Sequence, residues 1–391
     1  MSWSSGDSPE LSFDEPFCIS ERGCDNLLRR LTASDADVDQ LDALLETVRF
    51  DANKDEWLTL LRLDDVFATG VFDDTGALIG VSTCVRYDEF RGPEAEPGSN
   101  EPHSTFGWCG NVVVDASFRG RGVARTLLRA ALEDVGADGA AWLDASDMGI
   151  SLYEKAGFEP RSRVVRWTMD VPSGRATADA RETPGDDADF TEKNLRVVRA
   201  DEENGAFGAA ARMDAEVFGA DREAFLRAWV ASAPPGASCM DERVGYALAH
   251  RRGNATYLGP WGLAPETRTR ANARARNKET EAFVDAAVRR AVAAAARDAR
   301  ARGEATALVV AYVPEPLAGR ERGEGLSRSS VCQDAFAAGA LMSEALARRG
   351  FARGDATTRM ARRDPECGGA RAIAEPGSPD RALTVASLDL G

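Results

Sequence analysis

Histidine is scarce in this chain: only His103 and His250 occur in 391 residues, far apart in sequence. A zinc site draws on clustered His and Cys ligands, so none is expected. Seven cysteines are scattered without a C-x-x-C pair. That argues against a zinc ribbon or a thioredoxin-like centre, and reduced thiols are the simplest state. No apolar run is long enough to span a bilayer. Met1 to Glu21 is acidic and has no apolar signal core, which argues against secretion and against a typical transit peptide. Positive charge is also in deficit, with 48 Lys and Arg against 64 Asp and Glu, a net charge of −16. Such a surface disfavours nucleic acid and anionic membranes as partners and mildly favours cationic ones such as amines, although solubility is its plainer consequence. The expected location is the cytoplasm. Oligomeric state is left open.

What is present is an ordinary globular composition, 43% hydrophobic and 29% charged, long enough for two or three full-sized cores. One stretch carries most of the chemistry. Val112, Val113 and Val114 suit a strand covered on both faces, and the chain then enters a Gly/Arg turn, Arg119-Gly120-Arg121-Gly122. From Val123 and Ala124 onward, Leu127, Leu128, Ala131, Leu132 and Val135 recur at helical spacing. Glycines let a ligand approach the backbone, and the first turn of a helix offers N–H groups beside a positive dipole end. Phosphate or pyrophosphate fits such a place. The plainer alternative is a strand-to-helix turn with two exposed arginines. A dinucleotide-binding G-x-G-x-x-G fails, because Arg125 stands at the third glycine. A Walker A loop fails for want of Gly-Lys-Ser/Thr.

Arg119 to Ala124 reads R-x-x-G-x-A. This resembles the pyrophosphate-binding turn of the GNAT superfamily of acyl-CoA-dependent N-acyltransferases, Q/R-x-x-G-x-G/A. A second segment strengthens the resemblance. Ala140 to Ser146 reads as a buried strand and leads through Asp147 into Leu152-Tyr153-Glu-Lys-Ala-Gly157-Phe158. That is similar to the "LYEKxGF" segment of GNAT domains. The resemblance covers about Asn26 to Val171.

The resemblance implies acetyl-CoA as co-substrate, with no metal, and an amine acceptor that is a small molecule or a protein. It implies that Val112 to Val114 offer backbone N–H groups to the thioester carbonyl and the pantetheine arm. Gly120, Gly122, Val123 and Ala124 would hold the pyrophosphate through the backbone, with Arg119 and Arg121 adding charge. Tyr153 matches the tyrosine that protonates the departing thiolate in many members; the bland alternative is a packing residue. Asp147 stands where many relatives carry an asparagine on the pantetheine arm, and it could equally cap the following helix. No general base is identifiable; Asp88 and Glu89 are candidates only by position. Two other classes stay open: a non-catalytic acyl-CoA-binding or regulatory module, and an interaction scaffold that binds no acyl-CoA.

Periodicity and turn signals divide the chain into an acidic tail (1–25), a first domain (26–171), a Pro/Gly/Asp-rich linker (172–193), a second domain (194–363) and a tail (364–391). The first domain reads β-α-α-β-β-β-α-β-α-β. Its pattern partly returns in the second: Asp241 to Ala247 echoes the Asp74 to Val81 hairpin, an Ala/Arg-rich helix lies within Arg268 to Arg302, and Glu344 to Phe351 echoes Leu152 to Phe158. The arginines of that helix are expected to form a solvated face. The second copy lacks R-x-x-G-x-G/A after Trp261 and places Leu346 opposite Tyr153. Residues 315–330 read as an inserted mobile loop. The expected fold class is α/β (α+β), tandem GNAT folds, each a mixed, mostly antiparallel sheet flanked by helices.

Overall fold

Val38, Leu41, Leu44 and Leu45 are all buried on one side of a helix whose start is set by Ser34. Ser34 takes the first helical bond from Val38 N at 3.0 Å, and its hydroxyl accepts from Asp37 N at 3.3 Å. This is a computed structural model, and it describes residues 27–48, 54–88, 105–136, 139–174, 194–202, 205–264, 273–317 and 330–362. The first half runs β1 (Leu27–Arg30), α1 (Asp35–Val48), α2 (Lys54–Leu60), β2 (Val66–Phe72), β3 (Leu78–Asp88), β4 (Thr105–Val114), a short 3-10 turn (Ala116–Phe118), α3 (Val123–Val135), β5 (Ala140–Ala145), α4 (Ile150–Lys155) and β6 (Glu159–Pro172). The second half runs β7 (Arg196–Val197), α5 (Ala206–Phe218), α6 (Glu223–Ser232), β8 (Cys239–Asp241), β9 (Gly245–Arg252), β10 (Ala255–Leu263), α7 (Ala273–Ala301), β11 (Thr306–Glu315), α8 (Ser330–Arg348) and β12 (Ala352–Arg362).

The order of elements matches the sequence reading, with adjusted edges. β4 starts at Thr105, well before Val112. β6 runs on to Pro172, and Ser173 N still bonds Ala305 O at 2.9 Å, so the start of the expected linker is ordered strand. The rest of that linker, both tails and most of the 315–330 insertion fall outside the described residues. In α7, Ala287, Ala291 and Ala295 are buried and let the helix lie close on the sheet, while Arg297 and Arg300 are exposed and Arg289 and Arg290 half-buried. Among the described residues, no helix is long and apolar enough to cross a membrane.

All twelve described strands form one sheet, in the order β1-β2-β3-β4-β5-β12-β6-β11-β10-β9-β8-β7. Only β4–β5 and β10–β11 are parallel pairs; every other pair is antiparallel. The expected fold class is therefore observed. The halves interlock at the centre. β12, from the end of the second half, lies between β5 and β6, and β6, from the end of the first half, lies between β12 and β11.

Side chains alternate across the strands, so neighbouring residues enter different cores. On β5, Trp142 joins a core with α1, α2, α5 and α6, while Ala141 and Leu143 join one with α3 and α4. On β6, Val164 faces the first of these cores, while Val165 and Trp167 face α7 and α8. The sheet is thus covered on both faces. Fully buried leucines such as Leu127 and Leu128 each contribute about 1.5–3 kcal/mol through burial.

Candidate active site

Two parallel strands that part company create the cleft. β4 and β5 pair only from Phe106–Trp108 to Ala140–Trp142. Beyond Trp142, β5 stays in register with β12, from Ala141↔Arg362 to Ala145↔Thr358. β4 instead follows β3 up to Val114↔Gly80. The β5-facing edge of Cys109–Val114 therefore has no ladder partner among the described strands, and its backbone polar groups, apart from the Val114 carbonyl that accepts from Arg119, are open to a ligand.

A bulge shapes that edge. Val81 pairs with Val113 and Thr83 with Gly110, so Asn111 and Val112 together oppose Ser82. Asn111 takes φ 51°, the only positive φ at a non-glycine among the described residues, and its Nδ2 donates to Thr83 Oγ1 at 3.1 Å. Asparagine tolerates this conformation better than most residues. Val113 and Val114 are buried, whereas Val112 is half-buried at the bulge. Val113 and Val114 point to opposite faces, so the strand is covered on both as expected, and only the bulged Val112 is partly open.

Below the strand, Asp115 Oδ1 accepts from Ser117 N at 2.8 Å and from the Ser117 hydroxyl, closing the 3-10 turn. Gly120 and Gly122 take φ 75° and 86°. α3 then begins without a side-chain cap, and Thr126 N bonds Gly122 O at 3.1 Å. Val123 packs with Val71, Ile79, Val114 and Leu127, and Ala124 lies against them. Close approach to β3 is possible because residue 80 is glycine: a Cβ there would lie 3.0 Å from Val123 Cγ1. Arg119 Nε donates to Val114 O at 3.1 Å, and the Arg121 guanidinium lies 5.0 Å from the Phe118 ring centre. Both arginines are exposed.

Parallel strands bring their C-terminal ends to one side, so the turn after β4 and the segment after β5 share an end of the sheet. Asp147 there is exposed, and the N-cap of α4 is Gly149, with no side-chain hydrogen bond. The capping alternative for Asp147 is not realised. Tyr153 is 8% exposed. Its ring lies against Gly149, where a Cβ would come within 2.6 Å of Cε2, and meets Phe158 edge-on at 6.0 Å. Burial, with Cys109 nearby, raises its pKa above the ordinary value of a phenol and keeps it protonated.

Asp88, a general-base candidate by position, lies at the far end of β3 from Gly80. It pairs with Thr105, at the start of β4, roughly 23 Å along the strand from Val112 at strand rise. Glu89 lies outside the described residues. Two buried groups near the cleft escaped sequence reasoning. One is Asn111, whose αL tolerance is its only local signal. The other is the ion pair of Asp144 and Arg359, whose partners are separated by 215 residues.

The second half repeats the helix stop. Gly157 and Gly350 take φ 84° and 87°. Phe158 N bonds Tyr153 O and Phe351 N bonds Leu346 O, each at 3.0 Å. Leu346 thus occupies the position of Tyr153.

Two family models match: the Acetyltransferase (GNAT) family over residues 34–158 and the Acetyltransferase (GNAT) domain over residues 210–295, together more than half of the chain. The chain belongs to the GNAT superfamily of acyl-CoA N-acyltransferases, with one domain of the family in each half. Its general chemistry is acyl transfer from an acyl-CoA. Among solved structures, a candidate acetyltransferase from Pyrococcus horikoshii is 17% identical, with 97% of this chain and 98% of that one covered, at TM-score 0.53. Saccharomyces cerevisiae N-myristoyltransferase with bound myristoyl-CoA is 12% identical, with 92% and 86% covered, at TM-score 0.53. These likenesses concern the fold. No curated protein sequence matches the chain significantly.

Proposed function

We propose that this chain is an N-acetyltransferase with one active site, in the first half, that moves the acetyl group of acetyl-CoA to an amine. One observation carries this reading. The β4 edge without a ladder partner among the described strands leads into a start of α3 that has two positive-φ glycines and no side-chain cap, and Tyr153 is on the helix that follows β5, the strand that parts from β4. The backbone N–H groups of Gly120 to Ala124 would hold the pyrophosphate, with Arg119 and Arg121 adding charge. Val112 to Val114 would bind the pantetheine arm and polarise the thioester carbonyl. Asp147, exposed beside α4, would meet the arm from the other side.

In the reaction, a neutral amine attacks the carbonyl carbon in a ternary complex. The tetrahedral intermediate collapses by breaking the C–S bond, and the electron pair leaves with sulfur. Tyr153 then donates its proton to the thiolate, while the nitrogen, cationic once bonded, sheds one proton to solvent water, from which the phenolate is reprotonated. Burial disfavours phenolate, so the proton is present at neutral pH, and the same burial makes the phenol a weaker acid. The net charge of −16 favours a cationic acceptor, which must lose a proton before attack.

Titration calorimetry with acetyl-CoA, followed by thiol release with a panel of amines, tests the proposal. One site per chain and thiol release with at least one amine are expected. Two sites, or none, would contradict the assignment to the first half; binding without release would mark a non-catalytic acyl-CoA module.

A further inference from the structure

We propose that Arg359, on the last strand of the second half, is a positioning residue for the cleft of the first half, fixing the separation of β4 and β5. The inference rests on the acyl-CoA reading only in taking that cleft to be the active site.

Trp108 and Trp142 are the last paired residues of β4 and β5, and their rings stack with centres 6.3 Å apart and planes 9° from parallel. Past this point β4 has no partner on its β5 side among the described strands, so other contacts must set the width of the gap. Asp144 is the next residue of β5 on the same face as Trp142. It does not face β4. Its two oxygens accept from Arg359 Nε at 3.0 Å and Nη2 at 3.1 Å. Both side chains are removed from water, with exposures of 2% and 0%.

The same guanidinium lies 4.8 Å from the centre of the Trp108 ring. One planar group therefore holds β5 through two hydrogen bonds and lies over the ring of the last paired residue of β4. Arginine is suited to this double task because it offers a rigid fork and a flat surface together. Lysine keeps the charge but cannot form the fork. The strand that brings Arg359 here, β12, lies between β5 and β6, so a second half without its own phosphate turn still shapes the cleft. A buried pair is weak evidence for stability, since desolvation offsets its attraction. Its geometry at the fork of two strands is what speaks for positioning.

The test compares Arg359→Lys and Asp144→Asn with a control, Arg349→Lys, in the full chain. Arg349 makes a similar fork with Asp285, at 3.1 and 2.7 Å, remote from the cleft. Acetyl-CoA affinity and hydrogen exchange of the amides of Cys109–Val114 are measured below the melting temperature of each variant. Both cleft variants should bind acetyl-CoA at least ~10-fold more weakly and exchange those amides at least ~10-fold faster, while the control stays within about twofold of wild type. A merely structural pair would lower the melting temperature and leave affinity and exchange at 109–114 unchanged, and that result would overturn the proposal. Asp144→Asn keeps the shape of the site and serves if Arg359→Lys does not fold. Should wild-type protein bind no acetyl-CoA, the acyl-CoA reading falls, and the exchange rates alone decide whether Arg359 holds β4.

Discussion

Tyr153 packs against Gly149 and Phe158, and a phenylalanine would fill the same space. The hydroxyl is therefore the part of the residue that packing leaves unexplained. If it protonates the departing thiolate, Tyr153→Phe should lower turnover about 100-fold or more, in the range of general acid catalysis. Acetyl-CoA affinity and melting temperature should barely change. Stopped thiol-release kinetics beside calorimetry would separate the effects, and an equal loss in both would make the residue structural. The sign of the pH dependence is also set. Burial raises the phenol above its ordinary value of 10.0, so the neutral, proton-donating form persists through neutral pH. Any loss of turnover from its ionisation belongs above pH 10, and so does any loss of stability, because there the unfolded chain ionises first.

At the scale of elements, the turn between β4 and α3 joins backbone conformation to ligand access. Gly120 and Gly122 both hold positive φ, and a Cβ on Gly120 would meet nothing within 4 Å. Gly120→Ala should therefore cost only the conformational penalty, about 1–2 kcal/mol. Gly122→Leu adds a branched side chain at the N-cap, where the pyrophosphate would lie, and should weaken acetyl-CoA binding at least ~100-fold, read by calorimetry. Similar affinities for the two variants would argue that the anion does not approach residue 122. This element was legible in the sequence because its signals are local: β-branched residues, glycines at a bend, then helical spacing within about 25 residues. The helix stops at Gly157 and Gly350 were legible for the same reason. The bulge at Asn111 was not, since a single residue tolerant of φ 51° leaves no pattern.

For the whole molecule, the repeat was readable but the interlocking of its halves was not. β12 reads Ala-Arg-Gly-Asp-Ala-Thr-Thr-Arg-Met-Ala-Arg, too polar to announce a central strand. Its partners on β5 and β6 lie some 200 residues away, and no local spacing specifies them. Strand pairing at such separation is set by which edges remain after the nearer elements have packed. The consequence is that residues 26–171, although they carry every proposed site residue, lack the strand that fills the gap between β5 and β6. Without β12, Asp144 loses the only ion-pair partner it has among the described residues, and Met360 leaves the cluster that holds Tyr153. Breaking a buried pair by removing one member costs about 3–5 kcal/mol, and losing a buried methionine side chain adds roughly 2–5 kcal/mol. Whole-domain stability is typically only about 5–15 kcal/mol. The isolated 26–171 fragment should accordingly show no cooperative thermal melt and should associate through its two open strand edges, as measured by circular dichroism and size-exclusion chromatography. Supplying a peptide of residues 350–362 should restore a monomeric, melting species, whereas the same peptide with Arg359→Lys should restore it less well. A fragment that melts cooperatively as a monomer without the peptide would show that the first half completes its own sheet, and that the role of β12 begins only after folding.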